Sequence, residues 1–226
     1  MSDDRSAGTS ATGRTVVITG GSSGIGRAAA HAFVSRGDRV ALLARGETAL
    51  RATAEELGRP EQVLTFACDV TDREAVERAA DEVVLQWGGV DVWVNAAVAL
   101  VIGPFPEVDP ADFDRVVDVV FTGTVNGTRS ALRVMRPTGT GRIVQVGSAV
   151  ALHGVPLQSA YASAKHAVHG FSDSLRAELL HDGIAVTVSE VNLPAVNTPL
   201  YRSAKNLLPQ RARHKPGRPA PWERGC

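Results

Sequence analysis

In the stretch SAYASAKHAVHGFSDSLRAELL a tyrosine and a lysine stand four residues apart, Tyr161 and Lys165. The surrounding periodicity is helical with Ser159 at the N-cap position, so phenol and ammonium share one helix face. A phenol with an ordinary pKa of about 10 is a poor proton carrier at neutral pH, but a neighbouring ammonium favours the phenolate and lowers that value. Tyr161 then becomes a usable general acid or base. Ser148 comes thirteen residues earlier, after the apolar run GRIVQVG. If that run is a strand of an open α/β sheet, its hydroxyl lies at the carboxyl edge where ligands sit, positioned to hold a substrate oxygen. The same spacing also suits an amphipathic helix with a partly buried Tyr and a surface Lys and no chemistry at all.

A second stretch, TGGSSGIG from Thr19 to Gly26, puts four glycines between the apolar run TVVI and the helical RAAAHAFV. A helix N-terminus after the first strand of a parallel sheet presents unsatisfied N–H groups and the positive end of its dipole, a seat for a pyrophosphate. The spacing Gly20, Gly24, Gly26 is not the general GxGxxG, and a tight turn that binds nothing has the same composition. A dinucleotide site requires a ribose-reading residue about 20 positions on, at the end of the second strand. That strand, VALLAR, ends at Ala44 and Arg45 with no acid between Val40 and Gly46, while Asp38 precedes it at the opposite edge. Arg45 suits a 2′-phosphate, which favours NADP(H) over NAD(H); a solvated turn arginine is the alternative.

The elements needed to place these groups are legible as alternating patterns. Six β-branched runs (RTVVITG, RVALLA, QVLTFA, VDVWVN, GRIVQVG, IAVTVSEV) alternate with five helical segments near 25–36, 47–57, 72–87, 111–136 and 159–181. Near-continuous apolar strands separated by helices predict a doubly wound α/β fold, its parallel sheet buried on both faces. The pattern stops after Val191, where Asn192–Cys226 carries six prolines. The reading is a polar disordered tail over 1–13, one domain over 14–200, and over 201–226 a substrate-loop remnant followed by a basic Pro-rich tail.

Composition narrows the class. With 44% hydrophobic and 21% charged residues over 226 positions, the chain can bury a substantial core. Balanced charge gives no long-range field for nucleic acid or an anionic membrane. Charge is nevertheless uneven: from Tyr201 on, seven basic residues face one acid, Glu223. Cys68 and Cys226 make no disulfide framework, the N-terminus has no signal-peptide pattern, and Val92–Ile102 is far short of the ~20 apolar residues of a membrane span. A reducing, cytoplasmic location is expected. His166 and His169 lack a third ligand, so no metal site is expected.

Several motifs in order resemble the short-chain dehydrogenase/reductase family: TGGSSGIG, CDV at Cys68–Val70, VNAA at Val94–Ala97, VGS ending at Ser148, YASAK, and LPAVNTP at Leu193–Pro199. The likeness covers residues 14–200. It implies a single Rossmann-like domain that binds NAD(P)(H) and moves a hydride between nicotinamide and a carbonyl or carbinol carbon. In that resemblance Tyr161 is the acid/base, Lys165 holds the nicotinamide ribose and lowers the Tyr161 pKa, and Ser148 positions the reacting oxygen. Gly20, Ser22, Ser23, Gly24, Ile25 and Gly26 form the phosphate turn, Arg45 meets the 2′-phosphate, and Asp69 and Val70 meet the adenine. Asn95 belongs to the loop after the fourth strand, and Val196 and Thr198 to the carboxamide end. Apolar stretches such as AAVALVIGPFP point to a lipophilic ketone, aldehyde or secondary alcohol, and the family implies a homodimer or homotetramer.

Departures from the family pattern stand beside the likeness. Val120 occupies the place of an Asn that normally links the lysine to solvent through a water, and Pro194-Ala195 replaces the usual Pro-Gly. The chain also ends before the family's last strand, which would leave strand six at an exposed edge. A nucleotide-binding protein without turnover is the second reading, and RNA binding through the basic tail a third and weaker one.

Overall fold

The computed structural model describes residues 13–208. The sequence expectations for residues 1–12 and for the tail from 209 on, with Arg211, Arg213, Lys215, Arg218, Arg224 and Cys226, lie outside the described residues.

Six parallel strands form the main sheet: β1 (Thr15–Thr19), β2 (Arg39–Ala44), β3 (Val63–Ala67), β4 (Val92–Asn95), β6 (Thr140–Ser148) and β7 (Ala185–Leu193). Their spatial order is β3-β2-β1-β4-β6-β7, so the direction of winding reverses between β1 and β4. Each expected strand is present, and together they make a Rossmann-like doubly wound fold in one domain. Two-residue strands β5 (Val101–Ile102) and β8 (Lys205–Asn206) form a separate parallel pair.

The period-2 alternation of β-branched residues divides the strands between two cores. Val17, Leu43, Trp93 and Ile143 face α3 (Arg73–Trp87), α5 (Gly123–Met135) and α6 (Ser159–His181) through Val76, Ala80, Met135 and Leu175. Val16, Ile18, Leu42 and Val94 face α1 (Gly24–Val34) and α2 (Glu47–Leu57) through Ala30, Val34 and Leu50. The expectation of burial on both faces fails at β7: Val186 and Val188 are buried, whereas Ala185, Thr187 and Ser189 are exposed because α1 and α2 cover the other end of the sheet.

The helix expected over 111–136 is divided. It runs as α4 (Pro110–Val117), capped by Asp109 with Pro110 in its first turn, then a π-turn over Asp118–Thr122, then α5. The wider turn coincides with two local events. Thr124 Oγ1 donates at 2.7 Å to the Val120 carbonyl, and Gly123 packs so tightly on Val70 that a Cβ there would lie 2.5 Å from its methyl group. Asp38 lies at the amino edge of the sheet, buried, and accepts from the Arg14 amide at 2.9 Å and its guanidinium at 2.7 Å. It is a structural latch remote from the carboxyl edge.

Candidate active site

All six strands of the main sheet end at one crevice of about 1460 Å³. Its floor begins at the β1–α1 turn. Gly20 has φ +69°, and a Cβ there would stand 2.7 Å from the Ala96 carbonyl oxygen, so only glycine allows β1 and β4 to turn out side by side. Gly26 does not line the crevice; its missing side chain lets α1 press to where a Cβ would be 2.4 Å from the Gly20 oxygen. Ser23, at the N-cap, makes no side-chain capping bond, which leaves the first N–H groups of α1 available to an anion.

The far wall carries Ser148 at the end of β6 and Tyr161 and Lys165 on α6. Tyr161 and Ser148 face the same crevice, and the Ser148 hydroxyl accepts from the Val150 amide at 3.4 Å. Lys165 is 5% exposed, donates from Nζ at 2.6 Å to the Val146 carbonyl, and sits 5.7 Å from the Tyr161 ring centre. Burial pushes the lysine down to about 8, opposed by the charge of Glu190. Leu157, just before α6 and on the crevice wall, holds φ +69°, a left-handed conformation that costs a leucine about 1–3 kcal/mol.

The short chain dehydrogenase family model matches residues 14–207. The chain belongs to the short-chain dehydrogenase/reductase family. It is 34% identical over 203 residues to an uncharacterized oxidoreductase, YxnA, of Bacillus subtilis (strain 168), covering 89% of this chain and 57% of that protein. With levodione reductase of Leifsonia aquatica it shares 32% over 207 residues, 89% of this chain and 77% of the relative. The crystal structure of levodione reductase superposes with TM-score 0.78 at 31% identity, covering 84% of this chain and 74% of that one. A crystal structure of actinorhodin polyketide ketoreductase with NADPH gives TM-score 0.79 at 34% identity, covering 84% and 73%. The chain thus spans little more than half of the first relative and about three quarters of the others named.

Most family positions read from the sequence do line the crevice: Gly20, Ser22, Ser23, Gly24, Ile25, Arg45, Asp69, Val70, Ser148, Tyr161, Lys165, Val196 and Thr198. Arg45 is exposed at the end of β2. Asn95 does not line it. Buried under α5, Asn95 accepts from Trp93 Nε1 at 3.0 Å and donates to Gln145 Oε1 at 2.9 Å and Thr128 Oγ1 at 3.1 Å, so it braces β4 against β6. Val120 lies fully buried in an apolar cluster with Val116, Ala160, Ala164 and the half-buried Tyr161, and offers no polar group where the family pattern has an Asn.

One electrostatic expectation is corrected. The Tyr161 phenol is raised, not lowered: burial dominates, the neighbouring Ser148 hydroxyl opposes it, and Tyr201 adds a further upward push. The Lys165 ammonium is itself disfavoured by burial and is engaged on the Val146 carbonyl, so it does not overcome the desolvation of the phenol.

Arg115 of α4 escaped the sequence reading. It lines the crevice and pairs at 2.6 Å with Asp69 Oδ2, while Thr71 donates to Asp69 Oδ1 from its amide at 3.0 Å and its hydroxyl at 2.8 Å. Burial works against the Asp69 charge, yet Arg115 and Thr71 together hold this carboxyl below the usual range. A single arginine in an amphipathic helix carries no spacing signal that would reveal the pairing. The substrate-loop remnant expected from residue 201 on carries regular structure: α7 (Leu200–Ser203) and β8 return across the crevice, and Lys205 pairs with Asp112 of α4. Cys68 faces the crevice as a thiol pushed up to about 11 by burial and by Asp69 and Asp72, which keeps it protonated at neutral pH. Among the described residues no helix is long and apolar enough to cross a membrane.

Proposed function

We propose that this chain is an NADP(H)-dependent oxidoreductase acting on a lipophilic ketone, aldehyde or secondary alcohol, with Tyr161 as its acid/base. The observation that carries the reading is the meeting of Ser148, Tyr161 and Lys165 on the wall of a crevice that starts at an uncapped, glycine-lined helix N-terminus. That cradle fits a dinucleotide: a side chain at Gly20 would collide with backbone, and the α1 N–H groups lack a capping partner. Ser22, Ser23, Gly24 and Ile25 would hold its phosphates, Arg45 its 2′-phosphate, Asp69 and Val70 its adenine, and Lys165, Val196 and Thr198 its nicotinamide end. When bound, the nicotinamide supplies the hydride.

The chain's own residues then handle charge and protons. As negative charge grows on a carbonyl oxygen, the Ser148 hydroxyl and the Tyr161 phenol donate to it. The raised pKa keeps the phenol protonated at neutral pH, which suits it to give its proton from Oη to that oxygen in the reductive direction. Ile102, Val150, Val155 and Leu200 exclude water and favour an apolar substrate. NADPH-linked carbonyl reduction, read by nicotinamide absorbance across a carbonyl panel, tests the reading. A nucleotide-binding chain without turnover is the second reading, favoured by the apolar Val120 buried beside Tyr161; NADPH binding with no turnover in the parent over the whole panel would select it. The same family reading carries a homodimer or homotetramer, which light scattering in solution decides.

A further inference from the structure

His169 follows Lys165 by one turn of α6, and its Nδ1 lies 2.9 Å from Oε2 of Glu190 on β7. The His169 side chain is 36% exposed and that of Glu190 only 4%, so the pair leads from solvent to a buried carboxylate. The second oxygen, Oε1, is buried with no hydrogen-bond partner among the described residues. It lies against β6 at Gly147, where a Cβ would stand 2.7 Å from Oε1 and 2.2 Å from Asn192 Oδ1. The carbonyl immediately before, that of Val146, is the one that accepts from Lys165 Nζ. Lysine head and unpaired carboxylate oxygen therefore approach the same strand at adjacent residues.

A carboxylate with one oxygen unsatisfied in the interior is costly unless a nearby positive charge answers it. A lysine buried to the same degree carries the mirror-image cost. We propose that Glu190, held in place by His169, is a positioning residue for Lys165 that keeps the buried lysine an ammonium. The part the pair plays in catalysis rests on the oxidoreductase reading above. The groups facing His169 are Glu190 from β7 and Asp173 and Arg176 from its own helix, and Glu190 raises its pKa most. The groups facing Lys165 are Glu190 and the Tyr161 ring, and Glu190 supplies the charge that resists its deprotonation. His169 donates to Glu190 whether its ring is charged or neutral, so the carboxylate keeps this partner through the neutral range.

The chain has three lysines, Lys165, Lys205 and Lys215, which makes the ionisation of Lys165 directly readable. In the full chain labelled with ¹³Cε-lysine, with the signal assigned by Lys165→Arg, the parent midpoint should lie near 8. Glu190→Gln should move it to lower pH by about one pH unit. His169→Leu strips the donor that holds the Glu190 carboxylate in place and should move the midpoint the same way, with the double variant going no further than Glu190→Gln alone. NADPH binding should weaken in Glu190→Gln at pH 8 and change little at pH 6.5, a pH dependence that a purely structural role would not produce. Should Glu190→Gln fail to fold, His169→Leu carries the test. A Lys165 midpoint unchanged in the variants that fold overturns the proposal. A midpoint that moves while even the parent binds no NADPH upholds the charge pair and removes the oxidoreductase reading instead.

Discussion

Lys165 Nζ stands 5.7 Å from the centre of the Tyr161 ring while donating to the Val146 carbonyl at 2.6 Å. The ammonium is thus held by the strand that ends in Ser148 and not by the phenol. Two consequences follow for chemistry. Tyr161 keeps its proton at neutral pH, and the cost of burying Lys165 falls on the stability of the fold.

That cost has a definite sign. A lysine whose folded pKa is about 8, against an ordinary 10.5, penalises the fold fully below pH 8 and progressively less as pH rises toward 10.5. Lys165→Met removes this dependence, so between pH 7 and pH 9.5 the parent should gain on the order of 2 kcal/mol of stability relative to the variant. Denaturant unfolding of parent and variant at the two pH values measures it. The same change should abolish activity.

Arg45 is the exposed residue at the end of β2 on which the proposed preference for NADP(H) rests. Arg45→Asp should reverse the preference, weakening NADPH at least about tenfold through lost charge pairing and gained repulsion. Thermal shifts with NADPH and NADH compare the two cofactors. A variant that still prefers NADPH would remove the cofactor assignment.

Gly26 tests the turn without touching a ligand-facing atom. Its Cβ would meet the Gly20 oxygen at 2.4 Å, backbone against backbone, so Gly26→Ala must push α1 away from β1. Overpacking of this kind costs about 1–3 kcal/mol. A drop in melting temperature together with weakened NADPH binding is the expected pair of results, whereas full binding would disconnect the turn from the phosphate seat.

Asp69 and Arg115 give an acid-side prediction. A carboxyl held below its ordinary range contributes stability above its unfolded pKa and loses it as pH falls through the folded one. Arg115→Met should therefore cost about 1 kcal/mol at pH 7, a modest figure because both side chains are partly solvated. The difference should vanish in acid once Asp69 is protonated, as unfolding at pH 7 and pH 3 would reveal.

How much of this was legible in the sequence depends on the range of the interaction. Strand and helix placement follows from local periodicity, and the six strands and most helix limits are where the apolar runs put them. The π-turn at Asp118–Thr122 was not legible: local periodicity there is helical throughout, and the packing of Gly123 on Val70 that accompanies the turn joins residues far apart in the chain. Tyr161 and Lys165 share a face because four residues make about one helical turn, yet the direction of the Tyr161 shift depends on desolvation, which no spacing reports. The partnerships Arg115–Asp69 and His169–Glu190 join residues far apart in the chain and exist only once the sheet has assembled. Asn95 shows the converse: the motif implies a loop residue after the fourth strand, whereas Asn95 ends β4 itself and, with the buried Trp93, Thr128 and Gln145, braces the sheet.

The central claim, that the Tyr161 phenol passes a proton to a substrate oxygen during NADPH-linked reduction, is tested most directly by Tyr161→Phe assayed with the parent for both NADPH binding and carbonyl-dependent NADPH oxidation. Parent turnover is expected, and in the variant near-parental cofactor binding with turnover reduced at least ~100-fold. Turnover by the phenylalanine variant at the parent's rate would contradict it.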